Sequence, residues 1–97
     1  MTHEEFVTSL AHPAPREELS PALAALWWVA KGDWKRAHAL VNDRDGRDEA
    51  WVHAHLHRVE GDGANANYYR RAGKTPSADP LPVEHEAIAR ALLQASA

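Results

Sequence analysis

Apolar residues recur along most of the chain at helical rather than strand spacing, and polar punctuation cuts them into about six segments. Thr2 followed by Glu5 has the spacing of a capping box, with Phe6 and Leu10 on one face behind it. A first helix is expected over 2–11, ended by Pro13 and Pro15. Ser20-Pro21 opens a second: a hydroxyl that takes an N–H at the cap, then a proline whose missing donor costs nothing at the first helical position. Leu23, Leu26, Trp27 and Ala30 stripe one side of it. Ala24, Ala25, Trp28 and Val29 make the rest apolar too, which predicts a helix in the middle of a bundle.

Gly32-Asp33 ends that helix and caps the next, in which Trp34, Ala37 and Val41 face inward. Residues 42–48 are a polar loop. Asp48 is expected to cap a helix running to Gly61-Asp62, where the same junction recurs. Ala66, Tyr69 and Ala72 mark a further helix closed by Gly73. Beyond a proline-rich linker at 74–81, Pro82 opens the last helix, 82–95, with Val83, Ala87, Ile88, Ala91, Leu92 and Ala95 as its expected apolar face. The prediction is one all-α domain over 1–97, a compact bundle or short solenoid of about five to six helices with two helical hairpins in its centre, 20–73.

A shift of 29 residues lays Gly32-Asp33 on Gly61-Asp62, Ala37 on Ala66 and Ala25 on Ala54, so the two hairpins share a design. Glu60-Gly61-Asp62, Ala66 and Tyr68-Tyr69-Arg70-Arg71-Ala72 resemble the turn and second helix of a tetratricopeptide repeat, although that family's period is longer, about 34. A broader resemblance rests on Gly32-Asp33-Trp34, Ala37-His38, Trp51-Val52-His53-Ala54, Leu56-His57-Arg58, Glu60-Gly61-Asp62, Asn65-Ala66 and Tyr69 to Gly73. Together these look like a family of small, functionally uncharacterised all-helical bacterial proteins. That resemblance implies the fold and carries no mechanism.

Composition narrows the chemistry. There is no cysteine, so disulfides, thiolate zinc sites and a cysteine nucleophile are excluded, and a reducing cytoplasm is permitted. The first residues are acidic and lack an apolar leader core, and no apolar run approaches membrane-spanning length, so a cytoplasmic protein with no membrane partner is expected. Net charge is −3, but residues 31–74 hold nine of the eleven bases against seven acids. That imbalance is too small for nucleic-acid binding, which needs a face dense enough to neutralise several phosphates.

Three of the seven histidines fall between Trp51 and Glu60. Their alternation would put all three on one face of a strand, but the acidic start at Asp48-Glu49, the Gly-Asp end and the want of a pairing strand favour a helix. At about 100° per residue, Val52, Leu56 and Val59 form its apolar stripe with Trp51 at the edge. His53, His57 and Glu60 then share the opposite side and His55 points away. Two imidazoles and a carboxylate aimed at one point are what helical metal sites use, and ordinary structural or solvated imidazoles have the same spacing. The helical zinc-protease motif is absent, since Ala54 stands where its glutamate would. The metal set is therefore His53, His57 and Glu60, completed by His38 or Asp33 from the preceding hairpin. Nothing in the composition requires a cofactor; a divalent metal ion is the one this face would take.

A metal-free small-molecule site would draw on His53, His57, Arg58, Tyr69 and Arg70, the arginines for an anion. His55 is expected beside Trp51, partly buried and needing a hydrogen-bond partner, and His38 either on Trp34 or facing the cleft. His3, His12 and His85 are expected in solvent, and Glu84 and Glu86 on different faces of the last helix. One of Tyr68 and Tyr69 should join the core. The serines have no visible histidine partner and no phosphate loop occurs, so no catalytic residue is identified. The paired hairpins and surplus aromatics point to a non-catalytic interaction module, with a protein partner or a second copy of the chain on exposed aromatic surface. The alternative is the small-ligand or metal site on His53, His57 and Glu60.

Overall fold

Capping chemistry places most of the helix ends. The structure, a computed structural model, describes residues 1–62 and 66–95, the side chain of Ala66 apart. It contains α1 (His3–Thr8), continued by a 3₁₀ turn over Ser9–Ala11, then α2 (Pro21–Ala30), α3 (Trp34–Val41), α4 (Arg47–Val59), α5 (Ala66–Ala72) and α6 (Leu81–Ala95). Among the described residues there is no strand. The capping box forms as expected: Glu5 N donates to Thr2 Oγ1 at 3.1 Å and Thr2 N to Glu5 Oε1 at 2.9 Å. Ser20 accepts from Leu23 N and Asp33 from Arg36 N. Gly32 (φ 85°) and Gly61 (φ 91°) adopt the left-handed conformation that lets the next N–H return to a carbonyl of the last turn, Asp33 N to Trp28 O at 2.9 Å and Asp62 N to His57 O at 2.8 Å.

One cap differs from expectation. Gly46, not Asp48, precedes the first residue of α4 and offers no side-chain cap. The Glu49 carboxylate folds back into the space that a β-carbon on Gly46 would occupy. The equivalence of Ala37 with Ala66, Asn65 of the family resemblance and the N–H groups that Asp62 was expected to cap lie outside the described residues.

α2 and α3 form one antiparallel hairpin, α4 and α5 a second, and α6 packs across α4 and α2. Phe6, Leu23, Leu26, Trp27, Val41, Val52, Leu56 and Ile88 are fully buried where these helices meet. At about 25 cal/mol per Å² of apolar surface removed from water, these side chains supply most of the drive to fold. Ala25, Ala37 and Ala54 are also wholly buried, so the hairpins approach closely over small residues. The radius of gyration, 12.2 Å, matches the roughly 12.5 Å of a close-packed domain of this length. The 74–81 linker therefore does not hold α6 apart from the rest. Trp27 is locked by a polar chain: its Nε1 donates to Ser9 Oγ at 3.0 Å, and that hydroxyl donates to Phe6 O at 2.6 Å.

α6 turns only part of its expected face inward: Ile88 and Leu92 are buried as expected, but Val83, Ala87, Ala91 and Ala95 are exposed. Val83 is 53% exposed, whereas Glu84, Ile88, Ala89, Leu92 and Leu93 are buried. The cause is the Glu84 carboxylate. It accepts from His55 Nδ1 at 2.7 Å, from Arg58 Nη1 at 2.8 Å and from the Tyr69 hydroxyl, and these three donors draw it inward. A buried carboxylate is tolerated only when paired and hydrogen-bonded, and here both conditions hold. Burial opposes its charge, but the bonds from His55, Tyr69 and Arg58 hold the Glu84 carboxyl below the usual carboxylate range.

Glu84→Ala would strand Arg58 and His55 without their anion. It is expected to lower unfolding free energy by about 3–5 kcal/mol in urea titrations, the cost of breaking a buried pair. Glu86→Ala, two residues away on the exposed side, should leave the midpoint where it was.

Candidate metal centre

His38 projects from the middle of α3, and His53 and His57 lie one turn apart on α4, the facing helix. One ring nitrogen of each lies within 4.8 Å of the other two. Among the described residues this is the one group of three or more histidine or acidic side chains placed to hold a metal ion. His38 Nε2 and His53 Nε2 are already 3.1 Å apart, joined by a hydrogen bond in which one ring supplies the N–H and the other the lone pair. In a tetrahedral zinc site with Zn–N bonds of about 2.0–2.1 Å, neighbouring nitrogens are about 3.4 Å apart.

The rings are held by aromatic neighbours. His38 stacks on Trp34 at 4.6 Å between centroids with planes 11° apart, one turn back on α3. The Trp34 indole is itself fixed by donation to Leu56 O at 2.8 Å. From α5, Tyr68 lies over His53 at 3.8 Å and over His57 at 5.2 Å. Tyr68 and Tyr69 divide as expected: Tyr69 is buried and Tyr68 sits at the rim.

Two features bear on what the three rings can bind. Burial, then the neighbouring His38 and His57 rings and the Arg71 guanidinium, push the His53 pKa down to about 4. Burial followed by the charge of His57 also lowers His38. Both rings are therefore neutral at pH 7 and keep a lone pair for a Lewis acid. The second feature is His57: its Nε2 is buried and has no hydrogen-bond partner, while an Asp62 carboxylate oxygen lies 3.5 Å from its Nδ1. A carboxylate behind one nitrogen with the other left free is the arrangement that orients metal-bound histidines.

The other expected site residues are placed elsewhere. Glu60 is exposed at the end of α4 and does not join the three histidines, and the Asp33 carboxylate is engaged with Arg36 as the cap of α3. Arg58 and Tyr69 are spent on Glu84, and Arg70 is exposed on α5. His55 is 2% exposed and bonded to Glu84 rather than half-buried at the edge of the core. His85 is not in solvent either: its Nε2 donates to Leu26 O at 2.9 Å, bridging α6 to α2. Asp62 and Tyr68 belong to the centre and were not singled out for it. Asp62 is read from sequence as a cap, and Tyr68 as one of a pair with undivided roles. No protein-family model matches the chain, and no curated protein or solved structure matches it.

The metal-free protein should lose stability in mild acid. In the unfolded chain His53 takes up its proton near pH 6.5, in the folded protein only near pH 4. Between these values the unfolded state binds more protons, so this contribution is complete above pH 6.5 and falls away as the pH drops toward 4. Thermal midpoints recorded across that window are expected to decline with acidification, and His53→Phe to flatten the decline.

Proposed function

We propose that this protein is a small helical metal-binding module that holds one divalent transition-metal ion, zinc for preference, on His38, His53 and His57. The observation that carries it is the convergence of three imidazole nitrogens within 4.8 Å, with His57 Nε2 buried and unpartnered. An unsatisfied buried polar atom costs about 1–3 kcal/mol, and a metal bond is what would satisfy this one. Three imidazoles suit zinc and leave a fourth position open, the ligand count of zinc sites that keep an exchangeable water. The absence of carboxylate from the set argues against magnesium or calcium, which take oxygen ligands.

An interaction module with exposed aromatic surface has less support. Trp27 is buried, Trp28, Trp34 and Trp51 are half-buried, and the large apolar side chains exposed among the described residues are Met1, Val7, Val59 and Val83.

Competition titration against a chromophoric chelator should find one zinc ion per chain. His38→Ala, His53→Ala or His57→Ala should each weaken it at least a hundredfold, and Asp62→Asn, which removes only the carboxylate behind His57, by about tenfold. Glu60→Gln should bind as the parent does. Zinc affinity unchanged in the triple histidine variant would contradict the proposal.

A further inference from the structure

On the far side of α4 from the three histidines, α1, α2, α4 and α6 enclose an open groove of about 510 Å³. Its walls are Phe6, Leu10, Val29, Val59, Leu81 and Pro82, and three imidazoles also line it: His3 at the start of α1, and His55 and His85, two rings each bonded from behind. That volume is in the range of small-molecule sites, and an apolar wall with a few fixed polar atoms is their usual make-up.

The hydrogen bonds behind the two rings decide what they offer the groove. Leu26 O can only accept, so His85 Nε2 carries the proton of their 2.9 Å bond and Nδ1 is left with a lone pair. His55 Nδ1 is held 2.7 Å from the Glu84 carboxylate and that ring is only 2% exposed, so the acceptor that the groove presents is His85. His85 Nδ1 has no hydrogen-bond partner among the described residues. Burial keeps His85 neutral at pH 7 by lowering its pKa. Glu86 stands in the lining beside His85, with its charge turned to Arg90 at 2.8 Å, and it disfavours an anionic guest.

We infer that this groove binds a small uncharged apolar molecule carrying a hydroxyl, a phenol or an alcohol, which donates its hydrogen bond to His85 Nδ1. A ligand with the same apolar body and no donor would leave that lone pair covered and unpaired, and an anion would meet a lone pair instead of a proton. The inference uses none of the three metal-binding histidines and stands apart from the proposed zinc site.

Calorimetry on the whole protein with 4-propylphenol, 4-propylanisole and 4-propylbenzoate tests it, with amide shifts in two-dimensional NMR to locate the ligand. The phenol is expected to bind, with shifts at Leu10, Val29 and Val59, and the methyl ether and the carboxylate to bind about tenfold more weakly or worse. Val59→Trp, at an exposed edge of the groove, should abolish phenol binding while the unfolding midpoint stays in place. Equal affinity for phenol and ether would overturn the inference, as would tighter binding of the benzoate, no phenol binding at millimolar concentration, or shifts confined to other faces.

Discussion

The Glu84 carboxylate ties α6 to α4 through His55 and Arg58, and to α5 through Tyr69. Almost every functional feature depends on that buried anion. Fixing Tyr69 fixes α5, which carries Tyr68 one residue earlier over the His53 and His57 rings. Fixing His55 fixes the ring that α4 turns to the groove. A single charge thus orients chemistry on both sides of one helix, and α4 carries a histidine in each direction because its sequence alternates His with Val, Ala and Leu. Such a network is costly to bury and stable only when complete, since removing one member leaves the others charged or unpaired in a low-dielectric interior.

The three-histidine cluster obeys a different rule. Packing three basic rings within ligand distance, His53 buried and His38 and His57 half-buried, is unfavourable for protons. His53 yields first, because burial and two neighbouring imidazoles both oppose its charge. The aromatic faces of Trp34 and Tyr68 keep the rings from swinging apart.

The helices and their ends were legible in the chain because local chemistry writes them: the Thr2 capping box, Ser20-Pro21, and the glycines at 32, 61 and 73 that take positive φ. Helical spacing also separated His53 and His57 from His55. Long-range pairings were hidden. His38 was a candidate only by proximity of hairpins, and its 3.1 Å contact with His53 depends on how α3 packs on α4. Glu84 looked like an ordinary surface acid, since its three donors lie 15 to 29 residues away. Part of the inward face of α6 was misjudged for that reason: apolar spacing ranked Val83 above a carboxylate whose partners could not be seen. His85, near a linker, likewise gave no sign of the Leu26 carbonyl that holds it.

The central claim is that three imidazoles from two helices converge on one metal ion. X-ray absorption fine structure of the zinc-loaded protein tests it most directly. The expected result is a first shell with three imidazole nitrogens at about 2.0–2.1 Å and one lighter exchangeable ligand, with ring-scattering features that drop by one imidazole in His38→Ala. A shell of oxygen atoms, or one in which the His38→Ala spectrum is identical to the parent, would contradict the account.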